Sequence, residues 1–146
     1  GKEGTIGEPR PALPTGTERI LFIDDEAQVA DIWQKTLTSL GYMVTTRTSC
    51  LEALELFRLH PQYFHLVITD YTMPHMNGID LARQMTAIRP DIPIILCTGL
   101  GEGIIKARIR DTAIRVLLMK PLELREVAET IRRVLDEERQ HQTTPL

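Results

Sequence analysis

Four short apolar runs in this chain each stop on a residue with chemistry to offer. Arg19 to Ile23 leads into Asp24-Asp25, Leu66 to Thr69 into Asp70, Pro93 to Cys97 into Thr98, and Arg115 to Met119 into Lys120-Pro121. Near-continuous apolar runs of this length suit parallel strands covered on both faces. A fifth run, Met43 to Thr46, is more polar and suits a sheet edge. The segments between the runs carry helical periodicity. Val29, Trp33, Leu37 and Leu40 recur at spacings of four and three before Gly41 supplies a stop. Ser49-Cys50-Leu51-Glu52 has capping-box spacing. Asn77 can cap a helix through Leu81, Met85 and Ile88 that ends before Pro90. Leu124, Val127, Ala128, Ile131 and Leu135 form the last stripe. The segment from Leu100 to Asp111 is the poorest helix, because Gly101 and Gly103 interrupt it.

Strand and helix alternating five times predict an α/β protein, a (βα)5 unit with a doubly wound parallel sheet. The expected strand order is 2-1-3-4-5, the flavodoxin-like arrangement, with its switch point between strands one and three. Such sheets place their chemistry at the carboxyl ends of the strands, which is where Asp24, Asp25, Asp70, Thr98 and Lys120 fall.

Composition narrows the class. The 146 residues fit one domain with a sizeable core, and 42% apolar with 25% charged residues is ordinary for a globular protein. A net charge of -3 gives no electrostatic footprint for nucleic acid or an anionic membrane. Cys50 and Cys97 lack metal-ligand spacing and read as reduced packing residues of a cytoplasmic protein. No apolar run approaches the ~20 residues of a membrane span, and no secretory signal is visible. Residues 1–16, rich in Gly and Pro, read as a linker or remnant, and the missing initiator Met leads us to expect chain before Gly1. Residues 17–140 form the expected domain, and 141–146 an expected disordered tail.

The strand order brings three carboxylates into one pocket. They repel one another unless something positive joins them. A hard divalent cation with oxygen ligands resolves this, and Mg²⁺ is the natural choice where phosphate is handled. Lys120 offers a movable positive charge for a phosphoryl oxygen, and Thr98 a hydroxyl donor. A nucleophilic Asp, a metal, a Lys and a Thr are together a kit for forming an aspartyl phosphate. Singly, each residue has a plainer reading: Asp24 or Asp25 as a helix N-cap, Thr98 as a turn residue, Lys120 as a solvated strand end. His60, His65, His75 and His141 share no metal-ligand spacing. Four strands ending in matched groups on one side of the sheet outweigh those separate readings.

These residues carry a family likeness. Between about Glu18 and Glu138 the chain resembles the receiver domain of two-component response regulators. The matching motifs are Ile23-Asp24-Asp25-Glu26, Asp70-Tyr71-Thr72-Met73-Pro74-His75-Met76-Asn77-Gly78, Thr98 and Lys120-Pro121. The resemblance implies that Asp70 accepts a phosphoryl group from a phosphohistidine on a histidine kinase or histidine phosphotransfer domain. It implies that Asp25 binds Mg²⁺ directly, that Asp24 assists largely through water, and that Asp70 and the Thr72 carbonyl complete the protein ligands. Thr98 and Lys120 would contact the phosphoryl oxygens, and Lys120-Pro121 would be cis. Such a domain phosphorylates itself and dephosphorylates slowly, which differs from steady turnover.

Two departures stand out. Family members often carry Tyr or Phe three residues before the lysine, a ring that moves inward when the threonine engages phosphate; this chain has Leu117. The stretch Thr98-Gly99-Leu100-Gly101-Glu102-Gly103 is also unusually rich in glycine. The flanks around Gly16 to Leu21 and Leu118 to Leu124 look similar to carboxyl-terminal receivers of hybrid sensor histidine kinases, whose missing sensor region could tether the domain to a membrane. A stand-alone response regulator is the rival within the class. In another class stands a haloacid-dehalogenase-like phosphatase, which wants Asp-x-Asp after its first strand where this chain has adjacent acids. A phosphorylation-independent binding module is a third reading, one that the complete acid set argues against.

Overall fold

The computed structural model describes residues 11–99 and 101–143. Five strands and five helices alternate in it: β1 (Arg19–Ile23), α1 (Ala27–Ser39), β2 (Met43–Arg47), α2 (Cys50–Leu59), β3 (Leu66–Asp70), α3 (Gly78–Ile88), β4 (Ile94–Thr98), α4 (Glu102–Lys106), β5 (Ile114–Met119) and α5 (Leu124–Thr143). The strands form one parallel sheet in the order β2-β1-β3-β4-β5, as the sequence predicts.

Because side chains alternate across a strand, β1 feeds two separate cores. Leu21 and Ile23 join Val67, Ile94 and Leu96 on one face, beneath Leu54 and Phe57 of α2 and Leu81 and Met85 of α3. Ile20 and Phe22 join Leu66, Ile68 and Ile95 on the other, beneath Leu37 of α1 and Val127, Ile131 and Leu135 of α5. Covering on both faces explains why β3 and β4 are buried throughout.

The helix signals act as expected. Ser49 Oγ accepts from the Glu52 amide at 3.3 Å, and Asn77 Oδ1 from the Asp80 amide at 2.9 Å. Gly41 ends the first helical segment with a φ of 104°, and a Cβ there would lie 2.3 Å from the Gly16 carbonyl oxygen. Between β4 and β5, helix among the described residues is confined to the five residues of α4, with Gly101 at its N-cap and Gly103 inside it.

The β2 edge of the sheet is plugged. In β2, alternate residues turn their backbone groups away from β1. The Val44 carbonyl accepts from Gln34 Nε2 at 3.1 Å, and the Thr46 carbonyl from Arg47 Nη1 at 2.7 Å. Side chains thus occupy acceptors that an added strand would use.

Both ends of the domain differ from expectation. α5 runs on through Thr143, so residues 141–143 extend the helix where a disordered tail was expected. Residues 11–16, expected as linker, lie along α5. The Pro11 carbonyl accepts from Arg125 Nη2 at 2.8 Å, the Thr15 carbonyl accepts from Arg132 Nη1 at 2.9 Å, and the Gly16 amide donates to the Leu40 carbonyl at 3.1 Å. The rest of the expected linker and tail, 1–10 and 144–146, falls outside the described residues.

Candidate functional site

The strand boundaries place the polar groups. β3 extends one residue beyond its apolar run, so Asp70 is its last residue, and β4 likewise ends on Thr98. Asp24 follows β1 directly, and β1 pairs with β3 through Ile23 and Thr69. The switch point therefore sets Asp24, Asp25 and Asp70 side by side. One carboxylate oxygen from each lies within 4.8 Å of the others. Asp24 and Asp70 are 3% and 6% exposed, whereas Asp25 opens to solvent.

Backbone groups and one cation fix these acids. Asp24 Oδ1 accepts from the Glu26 amide at 2.9 Å, in the manner of a helix cap just ahead of α1. Asp70 Oδ1 accepts from the Tyr71 amide at 3.0 Å and lies 2.8 Å from Lys120 Nζ. Lys120 arrives from the far side of the site, where its amide donates to the Thr98 carbonyl at 2.9 Å. The Lys120-Pro121 peptide is cis. Thr98 is 1% exposed. The structure thus gathers Asp24, Asp25, Asp70, Thr98 and Lys120 at one end of the sheet, with exposed Thr72 two residues beyond Asp70 on the same loop.

Charge crowding is visible in the ionisation of these groups. Burial pushes the Asp24 carboxyl above its ordinary range, the Glu26 amide opposes this, and the neighbouring Asp70 and Asp25 add to the rise. For Lys120, burial favours the neutral amine, but the hydrogen bond and charge of Asp70, with Asp24 behind it, outweigh burial and hold the ammonium more firmly. The set is an anionic cup, buried at Asp24 and Asp70 and open at Asp25, with Lys120 at its rim. Oxygen ligands on adjacent strand ends fit a hard divalent ion, Mg²⁺ among them.

Four residues around the site lie outside the predicted site set. The Tyr71 amide bonds to Asp70 Oδ1 and also donates to the Cys97 carbonyl at 2.9 Å. Cys97 stands opposite Asp70 in register, and burial first, then the Asp70 charge, pushes its thiol up to about 12. It remains a neutral packing group. His75 adopts a φ of 75°, a left-handed turn at a non-glycine position that nothing local in the sequence announces. Gly78 could have been singled out: a Cβ there would meet the Asp70 carbonyl oxygen at 2.3 Å, so only glycine lets α3 begin this close to the strand end.

On the opposite flank, Leu117 is half-buried and packs against the core on the α2–α3 face. Gly99, Gly101 and Gly103 have no atom within 4 Å of where a Cβ would stand. Their absence of side chains is not a packing requirement.

Comparison with known proteins agrees with this architecture. The family model described as "Response regulator receiver domain" matches residues 20–132. The response regulator receiver protein CpdR of Brucella abortus (strain 2308) is 34% identical over 118 residues, which are 81% of this chain and 97% of that protein. The sensor kinase CckA of the same organism is 30% identical over 124 residues, 85% of this chain but 13% of the kinase. The crystal structure of a response regulator receiver domain protein from Clostridium thermocellum superposes with a TM-score of 0.77 at 28% identity, covering 84% of this chain and 98% of that one. Curated relatives at 35% identity are longer proteins, of which the chain spans about half, 47%. With its 2-1-3-4-5 sheet, its acid cluster and these matches, the chain belongs to the response regulator receiver domain family.

Proposed function

We propose that Asp70 is the phosphoacceptor of this receiver domain, taking a phosphoryl group from a phosphohistidine on a histidine kinase or histidine phosphotransfer domain. One observation carries the reading: the clustered carboxylates of Asp24, Asp25 and Asp70 share their pocket with Lys120 Nζ, 2.8 Å from Asp70 Oδ1. In the transfer, an Asp70 carboxylate oxygen forms a bond to phosphorus as the P–N bond of the phosphohistidine breaks, and the electron pair returns to the imidazole. Asp70 Oδ1 is engaged by the Tyr71 amide and Lys120, so the remaining oxygen, Oδ2, is the better-placed nucleophile.

Asp25 would hold Mg²⁺ directly, Asp24 would assist through water, and Asp70 with the Thr72 carbonyl would complete the protein ligands. Bound there, the ion neutralises charge on the transferring group. Lys120 then follows the phosphoryl oxygens, exchanging a carboxylate for a more highly charged partner. Thr98 donates its hydroxyl to another of those oxygens. The domain would act as a self-phosphorylating acceptor with slow autodephosphorylation.

We place it in a hybrid sensor histidine kinase, a context supported by its likeness to the sensor kinase CckA and by the flanking sequences. The stand-alone alternative has support in CpdR, which the match covers almost end to end. Among the described residues no helix is long and apolar enough to cross a membrane. The lack of nucleic-acid contact fits the net charge of -3, and the free Cys50 and Cys97 fit a cytoplasmic location.

The test is labelling with acetyl phosphate or phosphoramidate and Mg²⁺. One hydroxylamine-sensitive phosphate should appear by mass, and Asp70→Asn should remove it. Undiminished labelling of that variant would sink the assignment.

A further inference from the structure

We infer that Tyr71 is the coupling residue of this domain: its ring, anchored beside the phosphoacceptor, holds Arg108 and the segment after α4 in the resting position, and phosphorylation proceeds against that hold. The inference rests on Asp70 being the phosphoacceptor and names what restrains the response of that site.

The anchor is fixed at its base. The Tyr71 amide donates both to Asp70 Oδ1 at 3.0 Å and to the Cys97 carbonyl at 2.9 Å, and its carbonyl accepts from the Gly78 amide at 2.8 Å. Tyr71 is thereby tied to the ends of β3 and β4 and to the start of α3. Its ring is half-buried against the α2–α3 core, and its hydroxyl stands 3.4 Å from Arg108 Nη1.

Arg108 is a joint. Its amide donates to the Ile105 carbonyl at 2.9 Å, in the turn that closes α4. Its carbonyl accepts from Arg83 Nη2 of α3 at 2.7 Å, and Arg83 Nε also lies 3.5 Å from Asp111 Oδ1. Farther on, the Ala113 amide donates to Thr86 Oγ1 of α3 at 2.9 Å. The segment from Arg108 to Ala113 is therefore clamped to α3, and Tyr71 adds a bond to the loop that carries the phosphoacceptor. Upstream, Gly99 and Gly101 have nothing within 4 Å of where a Cβ would stand, so the chain between Thr98 and α4 can rearrange cheaply.

Thr98 supplies the pull. It would donate its hydroxyl to a phosphoryl oxygen on Asp70, and it is joined to Arg108 through those glycines and α4. Thr98 drawn toward phosphate drags the segment, while Tyr71, bonded on three sides, stays. At 3.4 Å the bond between Tyr71 and Arg108 is already long, so a small displacement of Arg108 ends it. A contact made at rest and lost in the phosphorylated form opposes phosphorylation by its own free energy. Removing it should favour the phosphorylated form.

Tyr71→Phe keeps the ring and its packing and deletes the hydroxyl. The whole chain is titrated at fixed Mg²⁺ with beryllofluoride, a mimic of the phosphorylated carboxylate, and binding is followed by amide shifts. The variant should bind about two- to fivefold more tightly than the parent, the low half of what one hydrogen bond contributes. In an Arg108→Ala background the same substitution should change nothing, because its partner is gone. Arg110→Ala, a charge loss two residues away and outside the clamp, should leave the effect of Tyr71→Phe intact. Without beryllofluoride, Tyr71→Phe should speed amide exchange from Ile105 to Ala113. Equal affinity in Tyr71→Phe and the parent, or a gain that persists beside Arg108→Ala, would overturn the coupling and leave the phosphoacceptor standing. Failure of the parent to bind beryllofluoride, or binding that survives Asp70→Asn, would sink the phosphoacceptor reading and the coupling with it.

Discussion

Lys120 Nζ and Asp70 Oδ1 are 2.8 Å apart, which means the cation needed at the phosphoryl group already rests on the carboxylate that would receive it. The pair spans the sheet from the end of β3 to just past the end of β5. Its geometry separates the roles of the groups around it.

Lys120→Ala and Thr98→Ala should differ in kind. Loss of Lys120 removes a full charge from the transferring group, and labelling of Asp70 should slow on the order of 10²-fold or more. Loss of Thr98 removes one neutral hydrogen bond, worth roughly 0.5–1.5 kcal/mol net. Labelling should survive while the conformational response is blunted. Phosphorylation rates by intact mass, set beside amide exchange, check both, and the reverse pattern would show the roles are misassigned.

Mg²⁺ should bind before any phosphate arrives, because the acids within 4.8 Å of one another need a counter-charge. Binding should raise the melting temperature in proportion to the logarithm of ion concentration above Kd. Asp25→Asn should weaken this response more than Asp24→Asn, since Asp25 faces solvent and Asp24 is already engaged by the Glu26 amide. Thermal melts across an Mg²⁺ series measure it; identical, undiminished responses in both variants would contradict the ligand assignment.

Phosphorylation should be read out by backbone displacement after Thr98. Leu117, half-buried against the α2–α3 core, has no hydroxyl to exchange between solvent and a buried partner. Glycines 99, 101 and 103 have open space around them, so rearrangement there meets a low steric barrier. Amide exchange with and without beryllofluoride should change most between Gly99 and Asp111. A silent response there, with change confined to β5, would exclude this route.

Acid should destabilise the fold in two stages at the end of the sheet away from the acids. His65 Nδ1 accepts from the Arg19 amide at 2.9 Å, and burial first, with Arg19 and Arg89 nearby, lowers its pKa from 6.5. The unfolded chain therefore binds the proton more readily. Stability is complete above about pH 6.5 and falls as pH drops from there to the lowered folded value. Glu18 acts deeper in acid: burial alone would raise its pKa, but the Arg132 hydrogen bond and charge reverse that and lower it from 4.5. Its contribution is present above that pH and is lost as pH falls through the lowered value. Chemical denaturation across pH should show His65→Asn flattening the first stage and Glu18→Gln the second. A parent-like slope in both variants would place the titration elsewhere.

Most of this architecture was readable because it is written in local patterns. Apolar runs mark buried parallel strands, Asn77 and Ser49 mark helix starts, and a polar β2 marks an edge. Asp70 and Thr98 were legible because the carboxyl end of a strand in such a sheet is a functional address. What local pattern does not contain is contact across the chain. Pro11 to Gly16 has a linker's composition, and only the distant Arg125 and Arg132 make it part of the domain. His75 in a left-handed turn, and Tyr71 holding the Asp70 carboxylate, depend on how the loop closes over the strand ends. Residues 141–143 read as tail because they lack an apolar stripe, whereas in the structure α5 extends to Thr143.

The plugged β2 edge limits how this domain can meet other chains. With Gln34 and Arg47 already donating to the outward carbonyls of Val44 and Thr46, a foreign strand would first have to evict two side chains from their acceptors. Recognition on that side must be made by side-chain surfaces, which encode a partner's identity, and not by backbone ladders, which would accept nearly any extended peptide. In a cell where many homologous receivers share one fold, such an edge keeps them from joining sheet to sheet on the β2 side alone, since β5 forms the other edge.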